Sequence, residues 1–165
     1  MFSIGEKVVY GAYGVMEIVD MRDVAFDDRI RKYYVLREAA NNTSSETLVP
    51  MDNELVVSHM KKLLTPEEMT EAIRAAKTVT DFDWHPDNRA RAEHFKAVIA
   101  SGDRVAILVM IRSIEAAGRL RAAEGKKNFL SDETAMKKAE KVLYSEISLI
   151  MDIPLSAVEE FIENV

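Results

Sequence analysis

Along residues 2–58 the apolar positions arrive in short runs separated by turn residues. KVVY is followed by GAYG, then VMEIVDM (15–21), the charged RDVAFDDR, IRKYYVL (30–36), the polar NNTSS and TLVP. Short stretches of Val, Ile and Tyr bounded by Gly, Asp and Asn predict strands and turns. Gly11 and Gly14 bracket a tight turn, where a residue without Cβ takes positive φ without strain. Four or five short strands in so little chain predict a small, strongly bent barrel or half-barrel.

Beyond VVSHMKKLLTPEEM the period changes. Thr65 is a natural N-cap, Pro66 occupies the first helical position, and Glu68 stands in the capping-box place, so a helix is predicted to about Ala76. A second helix is predicted from Pro86, with Phe95, Val98 and Ile99 on one face. ASGD stops it and caps a third, from Asp103 to about Ala123, with Val105, Leu108, Val109, Ile111 and Ile114 inward. Gly125 ends the third, and a fourth begins at Ser131 carrying Met136, Ala139, Val142, Leu143, Ile147 and Ile150. After Pro154, Leu155, Val158, Phe161 and Ile162 share a last amphipathic stripe. Strands first and helices afterwards predict an α+β chain of two segregated modules, residues 1–60 and 61–165, with the boundary near residues 58–65.

Composition narrows the function. The net charge of -6 would repel nucleic acid in bulk, so any DNA contact has to come from a local basic patch. The chain has no cysteine, which removes disulfides, thiolate metal sites and Cys nucleophiles together and fits a cytoplasmic protein. The opening MFSIGEKVVYGAYG lacks the basic start and apolar stretch of a signal peptide. The most apolar run, VAILVMI (105–111), is too short to span a bilayer, and no membrane partner is expected.

Candidate chemistry is sparse. His59, His85 and His94 form no pair at helical spacing with an acid beside it, so no metal or other cofactor is expected. Ser44 and Ser45 lack a nucleophile elbow, and no glycine-rich phosphate loop occurs. The carboxylate pairs Asp27 and Asp28, and Asp81 and Asp83, read better as solvated turn residues than as acid and base, which disfavours an enzyme.

Surface remains. Few strands leave open edges that recruit a strand from another protein, unless the fold covers them. Arg22, Arg29, Arg31 and Lys32 flank the predicted hairpin tip. In the helical half, Arg89 and Arg91 follow the single tryptophan in DFDWHPDNRARAEHF (81–95). Arg119, Arg121, Lys126, Lys127, Lys137, Lys138 and Lys141 come later. Two readings stay open. A cationic patch beside an exposed ring grips phosphates while the ring contacts or wedges against bases. Alternatively, the basic residues are ordinary solvated helix faces, and Trp84 and Phe82 fold back together over the gap between the modules.

An ordered set of segments resembles one family. MFSIGEKVVYGAYG, KYYVL ahead of TLVPMDN, a Trp followed by Arg-x-Arg, ASGD before a long apolar helix, and FLSDETAMKKAEKVL before SEISLI together resemble the bacterial CarD/CdnL transcription regulators. The N-terminal part is also similar to the polymerase-interacting module of the transcription-repair coupling factor. The resemblance implies a small Tudor-like β-barrel that binds the β subunit of RNA polymerase through a strand edge, with Arg22, Ile30, Arg31, Tyr33 and Val35 in the contact. It implies a compact all-α module of about five helices that touches promoter DNA at the upstream edge of the melted region. Trp84 would be the wedge, with Arg89 and Arg91 on the backbone, and the cationic-patch reading adds Lys126 and Lys127 to the expected DNA contact. Such a protein stabilises the open complex without catalysis or cofactor, is expected to be a monomer, and binds isolated duplex weakly because tethering to polymerase supplies effective concentration. The alternative is a protein–protein adaptor whose helical module holds another protein.

Overall fold

The computed structural model of the chain describes residues 1–26, 28–40 and 44–165. The Asp27 half of the Asp27–Asp28 pair and the centre of the polar loop, residues 41–43, lie outside the described residues. The chain order is β1 (Lys7–Tyr10), a 3₁₀ turn (Gly11–Tyr13), β2 (Val15–Phe26), β3 (Arg29–Glu38), β4 (Thr47–Pro50), α1 (Glu54–Val57) and β5 (Met60–Lys62). Then come α2 (Pro66–Thr78), α3 (Asn88–Ser101), α4 (Arg104–Ala123), α5 (Leu130–Met151), a 3₁₀ turn (Leu155–Ala157) and α6 (Val158–Asn164). This is an α+β chain with the sheet first and the helices after it.

The five strands pair antiparallel in the order β4-β3-β2-β1-β5. Among the described residues no β4–β5 pairing closes the sheet into the full barrel. Both flanking strands are short, four and three residues. Val8, Met16, Ile18, Tyr34, Leu36, Val49 and Met60 form the sheet's own buried cluster, as period-2 alternation requires. A register shift between Ile18 and Asp20 bends β2 there. β5 carries the sheet two residues beyond the expected limit at residue 60.

β2 and β3 run further than the segments 15–21 and 30–36. The charged RDVAF continues β2 to Phe26, and β3 begins at Arg29. These added residues are mostly exposed, so their sequence lacks the one-sided apolar alternation that marks a half-buried strand.

Helix starts follow their caps. Thr65 and Glu68 make the full capping box, at 2.8 and 3.2 Å. α3 starts two residues later than Pro86 because the Asp87 carboxylate accepts from the Ala90 N–H at 2.8 Å and so fixes the N-cap. The Asp103 carboxylate caps α4 in the same way. Met69, Ile73, Phe95, Ile99, Ile107, Ile111, Ile114, Val142, Leu143 and Ile147 fill the helical core, and Val9 and Val15 from the sheet join them. The 3₁₀ turn between β1 and β2 lies against α3 and α5. Gly14, at φ 84, allows this approach, because a Cβ there would meet Ser145 Oγ at 3.3 Å. No described helix is long and apolar enough to cross a membrane.

Candidate interaction sites

The first site is the far end of the β2–β3 hairpin. β1 pairs with β2 only over Val15–Glu17, and β4 pairs with β3 only over Tyr33–Leu36. From Val24 to Phe26 and Arg29 to Arg31 the strands pair with each other alone among the described residues, so the ribbon projects with both backbone edges open. The register sets Val24 against Arg31 and Phe26 against Arg29. Alternation then puts Arg22, Val24, Phe26, Arg29, Arg31 and Tyr33 on one face, and Phe26, Arg29, Arg31 and Tyr33 line a shallow depression there. Phe26 is 68% exposed, and Ile30, on the opposite face, 75%. This is an apolar and cationic surface with unused hydrogen-bonding edges.

The structure sorts the sequence-predicted ribbon residues. Ile30, Arg31 and Arg22 are exposed, and Tyr33 is half-buried. Val35 is corrected: it has 0% exposure and lies on an interior strand paired on both sides, at Asp20 and Leu48, so it offers a partner neither side chain nor backbone. Arg22 bridges Asp20 and Glu46 at 3.2 and 3.1 Å, and Arg37 reaches the same Glu46 at 2.7 Å. Hydrogen bonds from Arg37 and Arg22 hold the Glu46 carboxyl below the usual carboxylate range. Arg31 leans toward Asp52 at 3.7 Å. Sequence reading missed Phe26, whose signal was present: a large apolar residue inside an otherwise charged turn.

The second site is the end of the helical module where α3, α4 and α5 meet. Here Trp84, Arg91, Phe129 and Arg121 alternate as ring and cation. Arg91 Cζ lies 4.5 Å from the Trp84 ring and 5.1 Å from Phe129, whose ring Arg121 covers at 3.9 Å. Arg91 is not an outward phosphate ligand. It is 1% exposed, and its donors go to Asp132 Oδ1 and Oδ2 at 3.0 and 2.9 Å, Asn88 Oδ1 at 2.9 Å, and the carbonyls of His85 and Pro86 at 2.9 and 3.5 Å. Those bonds use all the N–H groups of the guanidinium, so none is left for an outside anion.

Trp84 is half-buried, packed against the helical core and edge-on to Phe95 at 6.1 Å. With Phe82, Leu120, Arg121 and Phe129 it lines an apolar groove of about 430 Å³. Phe82 and Trp84 line one groove along the second half of α4, not the gap between the modules. Phe82 lies under Arg112, 5.5 Å from Cζ to ring, and Arg112 donates to the Ala76 and Val79 carbonyls at the end of α2. Lys127 marks the groove's rim, since its carbonyl accepts from Arg121 Nε at 2.8 Å; its side chain is exposed. Lys126 is exposed and pairs with Glu124 at 2.7 Å. Arg89 is exposed in the first turn of α3. Asp132 and Phe129 were not singled out from the sequence, because only the fold brings residues forty positions apart into one stack.

His85 and His94 do meet, ring centroids 4.7 Å apart, although their spacing is not helical. The described residues contain no cluster of three or more side chains able to hold a metal. Elsewhere, acids crowd between α4, α5 and α6. Burial raises Glu115 and Glu140, and burial together with Glu140, Glu159, Glu115 and Glu163 pushes the Tyr144 hydroxyl up to about 12.

The family model for the CarD-like/TRCF RID domain matches residues 2–74, which spans the whole sheet, α1 and most of α2. The chain therefore carries a CarD-like/TRCF RID domain, in line with its resemblance to the CarD/CdnL regulators, and this domain bears the projecting ribbon. A module of this kind gives the chain a transcription-related protein-interaction role. No curated protein matches the chain.

Proposed function

We propose that the chain is a transcription regulator that docks on the β subunit of RNA polymerase with its ribbon and stabilises the promoter open complex with the groove end of its helical module. The observation that carries this reading is the ribbon: two open edges with Phe26, Arg29 and Arg31 on one face, inside a CarD-like/TRCF RID domain. Open edges favour strand addition, and the arginines choose an acidic partner surface. On the DNA side, Trp84 lines the groove together with Leu120, and Arg121, Lys127, Lys126 and Arg89 are the available cations. Arg91 and Asp132 hold the indole in place and touch no phosphate. Because the net charge is -6, the tether supplies what intrinsic affinity lacks. The protein acts by binding and needs no cofactor or catalytic group.

One observation favours a second reading. The indole is recessed in an apolar groove, which suits a helix or peptide of another protein as well as an unstacked base step. Trp84→Ala separates the two. Promoter binding predicts a shorter open-complex lifetime with polymerase affinity unchanged, and the adaptor reading predicts no change in DNA opening. Native gel binding to the isolated polymerase β lobe, with and without Phe26→Ser, tests the docking half.

A further inference from the structure

The joint between sheet and helices holds a second buried guanidinium that serves neither site. Arg104, in the first turn of α4, is 7% exposed, and Glu146 of α5 is 1% exposed. Arg104 Nε and Nη2 bond Glu146 Oε2 and Oε1 at 2.9 and 2.8 Å. The same guanidinium donates to the carbonyl of Lys62, the last residue of β5, at 2.7 Å, and to the carbonyl of Gly102 at 2.7 Å. Glu146 Oε1 also accepts from the N–H of Leu64 at 3.0 Å. Only residues 63–65 separate β5 from α2, and this one ion pair grips the connection at Lys62 and again at Leu64. Gly102 adds a close approach: a Cβ there would lie 2.8 Å from Lys61 Cγ.

α5 supplies the acid at both buried pairs. Asp132, near its start, holds Arg91 under the indole, and Glu146, fourteen residues later, holds the joint. At 1.5 Å per residue these anchors lie about 21 Å apart along one rigid helix. A buried ion pair contributes little net stability over an apolar pair of the same shape, and its attested use is to select one arrangement. We infer that Arg104 and Glu146 are positioning residues that fix the orientation of the sheet relative to the helices, so that docking the ribbon determines where the indole lies. The functional half of this inference rests on the polymerase reading above; the geometric half does not.

The absence of cysteine makes the geometry measurable. Ala25→Cys and Arg119→Cys place one spin label on the ribbon and one near the groove, and pulsed dipolar spectroscopy reads the distance distribution between them. In the double variant Arg104→Met with Glu146→Gln, no charge is left unpaired. Its distribution is expected to widen at least twofold, with helical circular dichroism retained. Open-complex lifetime falls severalfold while β-lobe affinity changes less than twofold. Arg104→Lys alone keeps a cation opposite Glu146 and the acceptor for Leu64, and restores most of the sharpness. An unchanged width in the double variant overturns the inference, as does loss of fold in both variants, which would make the pair a stability element. If the unaltered protein fails to lengthen open-complex lifetime, the polymerase reading falls, and the width still decides the positioning role.

Discussion

The ribbon and the groove end use the same residue types in opposite ways. Both combine arginines with aromatics, yet Arg22, Arg29 and Arg31 stand in solvent whereas Arg91 is sealed between Trp84 and Phe129 with every donor used. Exposed pairs such as Arg22 with Glu46 are weak and exchange readily for a partner's groups. A buried pair such as Arg91 with Asp132 resists exchange, because separating it strands a charge in a dry site. An arginine beside a tryptophan is therefore a contact residue or a support for the ring according to burial, which the sequence does not display. The ribbon offers available surface, and the groove end offers a preset one.

The sharpest break of this contrast is Arg91→Ala. It leaves Asp132 buried without its cation and Trp84 without its stacking partner, and it should cost about 3–5 kcal/mol in urea unfolding. Phe26→Ser with Ile30→Ser tests the other side. Stability should stay within about 0.5 kcal/mol, since both side chains are already in water. Affinity for the polymerase β lobe should fall ten- to a hundredfold, about 1.4–2.8 kcal/mol by calorimetry.

A smaller effect, set by pH, distinguishes the buried acids of the helices from Glu46 beside the ribbon. Burial raises Glu115 and Glu140 in the folded protein, so the folded state holds more protons than the unfolded one just above the ordinary carboxylate range. Their contribution to stability therefore grows as pH falls from neutral into that range, and Glu115→Gln should flatten the slope of melting temperature against pH. Glu46 has the reverse sign: its lowered value gives stability above the ordinary carboxylate value that is lost as pH falls through the lowered one. The smallest effect is Arg22→Ala, which should leave the thermal midpoint unmoved because its partners are solvated.

Much of the fold was legible because it is written locally. The Thr65–Glu68 box, the Asp103 cap and the apolar stripes of α4 and α5 need only neighbours three or four residues apart, and each helix formed where its stripe placed it. Sheet closure was not legible, since whether β4 meets β5 depends on strands separated by a helix. The ribbon was understated for a different reason: RDVAF has no buried face, so periodicity is silent there. At the groove, Trp84 was found by being the single tryptophan, while Arg91 was misread as outward because its partner, Asp132, lies forty-one residues away.

The lifetime of the promoter open complex after competitor challenge, followed with polymerase holoenzyme and the purified protein, decides most directly whether a docked ribbon delivers the groove to DNA. The unaltered protein should lengthen that lifetime, Phe26→Ser with Ile30→Ser should abolish the gain at equal concentration, and Trp84→Ala should reduce it with β-lobe binding intact. An unaltered protein that binds the β lobe and leaves the lifetime unchanged would contradict the proposal.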